Sequence, residues 1–181
     1  MEKTELYETF QKGLTSVNGE SYIAKKADVA ATLTKIFQDK DTHEVALVET
    51  PLLKEIGAVD ALKAAGIKVD TDHFRKNAPE DKGGVTEADY GIANLGSIVQ
   101  MKDDIDCRIV ETVSDVYVGI VKLSKIVDTF DDMIDIMAET KPFPKFAGII
   151  TGPSRTADIE CVGTVGVHGP RQYSVIVVED A

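Results

Sequence analysis

The chain has 181 residues, of which 43% are hydrophobic and 28% charged, as in an ordinary folded protein of one domain covering residues 1–181. Its 20 basic and 31 acidic residues give a formal net charge of -11. Because this charge repels phosphate backbones and anionic lipid surfaces, we expect no nucleic-acid partner. No basic leader or apolar run of membrane-spanning length is present, so we expect a cytoplasmic protein without membrane insertion.

The cysteine count limits the redox chemistry that this chain can hold. Only Cys107 and Cys161 are present, and no CxxC motif occurs. A disulfide framework or a four-thiolate iron–sulfur site therefore cannot come from this chain alone. The sequence also lacks HExxH, Walker and GxGxxG motifs, so we predict no metal and no cofactor in this chain.

The first half of the chain predicts helices followed by a β-α unit. We expect a helix over residues 2–14, and apolar residues at helical spacing predict a second helix around 29–37. Residues 1–40 are therefore expected to form an N-terminal helical segment that packs on an α/β core. Residues 43–49 read HEVALVE, a short strand closed by Pro51, and a helix over 52–65 should follow.

The second half of the chain is richer in strands. Ile67 should begin a strand, and residues 71–85 have the polar and glycine-rich composition of an exposed connection. A helix is expected around residues 130–137, and the predicted strands cover residues 92–101, 116–121, 146–150 and 173–178. This alternation favours an α/β fold whose sheet is mostly parallel, is covered by helices on both faces and includes some antiparallel pairing.

The first candidate for a functional segment is residues 151–160, TGPSRTADIE. It follows the apolar run FAGII, so it should emerge from a buried strand where α/β sheets bind ligands. Ser154 or Thr156 could cap a following helix, and Arg155 suits a carboxylate or a phosphate. An ordinary strand-to-helix turn, with Arg155 paired to Asp158 or Glu160, explains the same pattern equally well.

The second candidate is residues 163–171, GTVGVHGPR, just before the apolar strand YSVIVV. Its glycines allow the backbone to approach a ligand closely. His168 could transfer a proton or orient a substrate. A structural histidine bonded to a backbone carbonyl is the alternative.

The third candidate is residues 86–97, TEADYGIANLGS, in which Glu87 and Asp89 precede a glycine-containing apolar stretch. Two neighbouring carboxylates can share protons or hold arginines such as Arg155 and Arg108. Surface or capping acids at the entry of a helix are the alternative for both residues.

The segments TEADYGIANLGSIV and GPSRTADIECVGTVGVHGP resemble the LUD-domain family, specifically its lactate-utilisation protein C group. The resemblance implies a three-layer α/β/α fold like that of NagB, ribose-phosphate isomerase and coenzyme A transferases. It also implies work with two partner proteins, at least one of which carries iron–sulfur clusters, in oxidising L-lactate to pyruvate. The residues at matching positions are Ala88, Asp89, Gly91, Ile92, Ala93, Gly152, Ser154, Arg155, Thr156, Asp158, Ile159, Glu160, Gly166, His168, Gly169 and Pro170.

One stretch departs from the family pattern. Where relatives have a leucine-proline pair and then a histidine before an apolar strand, this chain has residues 113–117, VSDVY. Tyr117 cannot take the place of a protonated histidine near neutral pH. A divergent ligand or partner would follow if that histidine contacts a ligand in the relatives.

The leading hypothesis is an accessory or ligand-binding subunit of an L-lactate oxidation system, with iron–sulfur clusters in its partner proteins. It would bind a small carboxylate or another small molecule between the two loops and the acids of TEADYG, which the loops should face. The alternatives are a transferase, isomerase or cyclo-ligase using Glu160 or Glu87, and a metabolite-sensing module. Catalytic candidates are His168, Glu160 and Asp89, and ligand-binding candidates are Glu87, Asp89, Gly152, Ser154, Arg155, Thr156, Asp158, His168, Gly169 and Arg171.

Overall fold

The fold was analysed in a computed structural model of the chain. The structure describes residues 3–78, 82–157, 163–166 and 169–180. Its helices are α1 (Lys3–Ser16), α2 (Val29–Asp39), α3 (Pro51–Glu55), α4 (Ala58–Ala64), α5 (Phe74–Asn77), α6 (Ile105–Val113) and α7 (Phe130–Glu139). Single 3-10 turns occur at Lys26–Asp28, Ala93–Leu95 and Leu123–Lys125.

The strands fall into a large sheet and two smaller ones. They are β1 (Glu20–Lys25), β2 (Glu44–Leu47), β3 (Lys68–Asp70), β4 (Gly83–Glu87), β5 (Tyr90–Ile92), β6 (Ser97–Met101), β7 (Val116–Lys122), β8 (Ile126–Val127), β9 (Ala147–Ile150), β10 (Arg155–Ala157), β11 (Gly163–Val165) and β12 (Gln172–Glu179).

The central sheet has six parallel strands in the order β1-β12-β7-β4-β2-β3. Its middle strands are apolar on both faces, because each face is covered by helices. One face packs against α2, α3 and α4, and the other against α1 and α6. The predicted fold class, a mostly parallel sheet flanked by helices, is confirmed.

A four-stranded sheet, in the order β8-β5-β6-β9, covers part of the α1 face. Its β5–β6 and β6–β9 pairs are antiparallel, whereas β5 and β8 are parallel. Strands β10 and β11 form a separate antiparallel pair. The antiparallel pairing predicted for the later strands is therefore confirmed.

Local sequence explains where several helices begin. Thr129 caps α7 through a reciprocal pair of hydrogen bonds with Asp132, and Thr50 caps α3 just before Pro51. Asp104 caps α6 by accepting a hydrogen bond from the Asp106 amide. These short polar side chains satisfy amide groups that the first helical turn leaves without partners.

Three predictions of secondary structure were wrong. Residues 1–40 are not wholly helical, because β1 lies among them and pairs with β12. The single helix predicted over 52–65 is interrupted at Gly57, which has a φ of +64°. The predicted connection 71–85 contains α5 and most of β4, in which Gly83 and Gly84 are buried.

The glycine pair was misread because its role is close packing rather than a turn. A side chain on Gly84 would overlap the hydroxyl of Ser114, which follows α6. Helix α6 can therefore approach β4 closely only where the strand has glycine. Within the described ranges, no helix is both long and apolar enough to cross a lipid bilayer.

Gly96 holds the contact between α1 and the 3-10 turn that precedes β6. It has a φ of +62°, and a Cβ there would overlap the backbone nitrogen of Leu14. Gly57 has a similar φ of +64° but open space around it. Alanine variants at Gly57 and Gly96 can therefore distinguish the cost of backbone strain from the cost of steric overlap.

We expect Gly57→Ala to lower the free energy of unfolding by about 1 kcal/mol, the cost of the left-handed conformation alone. Gly96→Ala should cost about 3 kcal/mol, because overlap with α1 is added to the same strain. Urea unfolding of both variants and the unmodified chain measures the difference. Equal losses for the two variants would show that α1 can move away at no cost.

Candidate functional site

Residues 152–155 (GPSR) and 169–171 (GPR) come together at the amino end of the central strands. We call the described residues 151–157, 163–166 and 169–171 the loop pair. The Ser154 amide donates to Pro170 O at 2.8 Å, and the Gly166 amide donates to Ser154 O at 2.9 Å. Gly169 packs against the Ser154 side chain, and a Cβ there would lie 3.1 Å from Ser154 Cβ.

The loop pair is anchored next to β7 and β12. The amides of Arg171 and Gln172 donate to Asp115 O at 2.8 Å and 3.0 Å. Asp115 immediately precedes β7, and Gln172 is the first residue of β12. The carbonyl of one residue therefore fixes the point where the loop pair enters the sheet.

The loop pair carries two arginines. Arg155 lies opposite Val165 in the β10–β11 pair, and the stem of Arg171 lies against the adjacent Gly166. Both arginines are exposed. Because Gly166 has no side chain and a φ of +79°, it leaves the space that the Arg171 stem occupies. Each guanidinium group offers paired N–H donors of the kind that bind carboxylates.

The structure describes only some of the predicted site residues. Asp158, Glu160 and His168 lie outside the described residues, so their proposed roles stay predictions. Thr156 lies in β10. The prediction that Ser154 or Thr156 caps a following helix was wrong, because the chain continues as β10 after Ser154.

The strand before the loop pair also differs from the prediction. Strand β9 belongs to the four-stranded sheet, where it pairs antiparallel with β6. Ile149 is 39% exposed, so this is a partly exposed edge strand rather than a buried parallel one. Ligands bind at the carboxyl ends of parallel strands in α/β sheets, so that rule does not apply to the antiparallel strand β9.

The acids of TEADYG lie at the carboxyl ends of the central strands, opposite to the loop pair. Glu87 is the last residue of β4 and pairs with Ile120, whereas the loop pair is bonded to Asp115. Five residues of strand separate these positions, a distance of about 16 Å. The two loops were expected to face these acids, but the residues that anchor the loop pair lie away from Glu87 and Asp89. Residues 158–162 and 167–168 of the same loops lie outside the described residues.

Asp89 fixes the start of the four-stranded sheet. Its Oδ2 accepts from the Met101 amide at 2.7 Å, and its Oδ1 lies 3.8 Å from Lys102 Nζ. Burial raises the pKa of Asp89, which the Met101 amide and the Lys102 charge oppose. Lys102 also donates to the Glu87 carbonyl. Both acids lie at the β4–β5 turn, so the alternative of a helix entry was wrong as well.

The sequence analysis missed a group of buried polar side chains behind this turn. We call Thr86, Gln100, Glu111 and Tyr117 the interior polar cluster. The Gln100 side-chain amide donates to Thr86 Oγ1 at 2.8 Å, and the hydroxyls of Thr86 and Tyr117 are 2.6 Å apart. All four residues are 7% exposed or less. Strands β4, β6 and β7 and helix α6 each contribute one member.

Glu111 is the most unusual member of the cluster. It is 7% exposed, and its Oε2 has no hydrogen-bond partner among the described residues. Burial raises the pKa of Glu111 to about 7, against the opposing charges of Lys102 and Arg108. The carboxyl group can therefore hold or release a proton near neutral pH. The sequence did contain a signal for this buried acid. Glu111 lies one turn after Cys107, on the apolar side of α6.

Tyr117 is the residue that the sequence analysis compared with a histidine of the relatives. It is fully buried and stacks on Tyr173, with ring centroids 5.7 Å apart. Burial and the nearby Glu111 raise the pKa of Tyr117 far above its usual range. The phenol is therefore neutral at physiological pH, as the sequence predicted.

The described residues do not form a metal site, since no three His, Cys, Asp or Glu side chains among them cluster at ligand spacing. Arg108 is not held by Glu87 or Asp89. Its guanidinium lies 4.5 Å from the ring centroid of Phe146. Burial raises the pKa of Cys107 to about 11, which keeps it a thiol rather than a reactive thiolate.

Residues 7–178 match the LUD-domain family along nearly the whole chain. The chain belongs to this family. This LUD domain is 39% identical over 101 residues to a lactate utilization protein C of Macrococcus caseolyticus, covering 54% of this chain and 44% of that protein. It is 26% identical over 182 residues to a lactate utilization protein C of Anoxybacillus flavithermus, covering 98% and 82% of the two chains.

A solved structure has the same fold. A DUF162 family protein of Deinococcus radiodurans superposes on this LUD domain with a TM-score of 0.70. The superposition covers 98% of this chain and 99% of the other, at 17% sequence identity. At that identity the likeness concerns the fold alone.

The raised pKa of Glu111 predicts a dependence of stability on pH. An unfolded Glu111 ionises around pH 4.5, whereas the folded one stays protonated to about 7. The folded state therefore loses stability as pH rises through this interval, by about 3 kcal/mol when complete. Glu111→Gln cannot ionise, so its unfolding free energy relative to the unmodified chain should rise between pH 5 and pH 8.

Urea unfolding at pH 5 and pH 8 measures this change. Glu139→Gln, on the exposed side of α7, is the matched control and should show the same difference from the unmodified chain at both values. A Glu111→Gln effect that is equal at pH 5 and pH 8 would contradict the assignment.

Proposed function

We propose that this LUD domain is an accessory, ligand-binding subunit of an L-lactate oxidation system whose electron-carrying iron–sulfur clusters lie in partner proteins. The observation that carries the proposal is the match along 98% of the chain to a protein named lactate utilization protein C. A second relative of that name, from Halalkalibacterium halodurans, matches along 97% of it. Both matches include the segments that form the loop pair.

The cysteine chemistry supports a division of labour between this chain and its partners. Oxidation of a hydroxy acid releases two electrons, which need an acceptor. This chain has two cysteines, and burial keeps the Cys107 thiol protonated. A cluster held by four thiolates would therefore have to be bound by another chain.

The geometry of the loop pair supports the binding of a small carboxylate. Arg155 and Arg171 are both exposed beside Val165 and Gly166, although the chain carries a formal net charge of -11. Their guanidinium groups offer paired N–H donors that match the two oxygens of a carboxylate. Lactate and pyruvate both carry this group next to a small apolar substituent.

We expect the purified chain alone not to oxidise L-lactate with a dye acceptor, because its two cysteines cannot hold a four-thiolate cluster to receive the electrons. Tagged chain isolated from its native cells should co-purify with proteins that contain iron and acid-labile sulfide. The complex should then reduce the dye in the presence of L-lactate. Lactate oxidation by the chain without partners would refute the accessory role.

The loop pair gives a second expectation, about binding. Exchanging both arginines, Arg155→Gln with Arg171→Gln, should weaken L-lactate binding about tenfold, because two charge-assisted hydrogen bonds are lost. Isothermal titration calorimetry measures the change. Arg75→Gln, at an exposed arginine of α5, is the control and should leave binding unchanged. Equal affinities for the double variant and the control would place the carboxylate elsewhere.

A further inference from the structure

A pocket of about 500 Å³ opens at the carboxyl ends of β1 and β12, where neither the family pattern nor the loop pair places a site. We call it the edge pocket. Its lining includes Tyr7, Ile23, Lys25, Leu123, Glu179 and Asp180. It lies at the carboxyl edge of the parallel sheet, where α/β proteins bind ligands. Its volume is within the range of small-molecule sites.

The edge pocket is distant from the loop pair. The loop pair joins β12 at Gln172, whereas the pocket lies beside Glu179 at the other end of the same strand. Seven residue steps along a strand correspond to about 23 Å. A ligand in the pocket therefore cannot contact the anchored end of the loop pair, and the two sites can be tested separately.

The inner wall of the edge pocket is apolar. Ile23 projects from the edge strand β1 and is 42% exposed, so its apolar surface is open to a ligand. Leu123 adds a side chain that is 6% exposed, and Tyr7 of α1 adds its ring. The Tyr7 hydroxyl lies 3.3 Å from Ser21 Oγ, so the ring is held in place. An apolar group covering Ile23 would remove this surface from water.

The mouth of the edge pocket has opposite charges side by side. Lys25 and Glu179 are register partners on the parallel strands β1 and β12. Such partners point to the same face, and their strands lie about 4.8 Å apart. Neither side chain makes an ion pair with another residue that the structure describes, so both charges can receive a ligand.

Asp180 adds a second carboxylate at a fixed position. It accepts hydrogen bonds from the amide of Ser124 at 2.9 Å and from the hydroxyl of the same residue. Lys25 and Glu179 bring one charge of each sign to the mouth. A molecule that also carries one charge of each sign can pair with both, whereas a simple anion such as lactate meets the carboxylate of Glu179 as well as Lys25.

We propose that the edge pocket binds a free amino acid with an apolar side chain. The ligand's carboxylate pairs with Lys25, its ammonium group pairs with Glu179, and its side chain covers Ile23 and Leu123. The apolar wall selects the side chain, and the charge balance selects a zwitterion over a hydroxy acid of the same shape. The site would let the protein respond to an amino acid as well as to its carboxylate ligand.

The test uses L-leucine as the probe, measured by calorimetry at low ionic strength and by NMR of isoleucine methyl groups. L-leucine should bind and shift the Ile23 methyl signals. The 2-hydroxy analogue 2-hydroxy-4-methylpentanoate, which lacks the ammonium group, should bind at least fivefold more weakly. Equal or tighter binding of the hydroxy acid would overturn the assignment of the ammonium group.

Variants locate the ligand. Lys25→Gln and Glu179→Gln should each weaken L-leucine binding about five- to tenfold, as expected for one lost charge pair at a partly exposed site. Lys35→Gln and Glu139→Gln are controls at exposed positions on α2 and α7 and should have no effect. The absence of leucine binding, or binding that is unchanged in both pocket variants, would overturn the proposal. Neither result bears on the partner proteins or on lactate binding at Arg155.

Discussion

The rest of the structure depends on the insertion of β12 between β1 and β7. The last described strand of the chain pairs in parallel with the first one on one side and with β7 on the other. Its alternate side chains enter both cores, since Val175 packs on the α1 side and Ile176 on the α2 side. An apolar strand of this kind could slide by one residue without exposing a polar face.

Two specific contacts oppose such a slip. Tyr173 stacks on Tyr117 of β7, and the Ser174 hydroxyl donates to the Glu20 carboxylate at 3.2 Å. Both contacts would be lost if β12 moved by one position. Because the loop pair enters β12 and the edge pocket lies at its end, the register of this strand positions both proposed binding surfaces.

The interior polar cluster buries four polar side chains in the core. Strands β4, β6 and β7 place three hydrogen-bonding side chains in the interior, and α6 adds a carboxyl group. Burial of Glu111 without a partner for Oε2 destabilises its charged form. A neutral tyrosine at position 117 fits this setting, because its hydroxyl bonds Thr86 and its ring packs on Tyr173.

The sequence by itself determined the elements that periodicity and capping specify. Helical spacing in α2 and α7, the apolar strands β2, β7 and β12, and the fold class all follow from local patterns of side chains. The family was also recognisable, because GPSRTADIE and GVHGP are long and unusual in composition. These features need no knowledge of which strands become neighbours.

Only the tertiary structure decided which segments meet. Parallel pairing placed Glu87 at the carboxyl ends of the central strands and the loop pair at their amino ends, and local patterns do not carry the register of that pairing. Gly84 proved to be a packing position because Val110 and Ser114 lie against it, and the pKa of Glu111 is raised because folding buries its carboxyl group. Burial, charge pairing and raised pKa values arise from residues distant in the chain, so only the folded structure could reveal them.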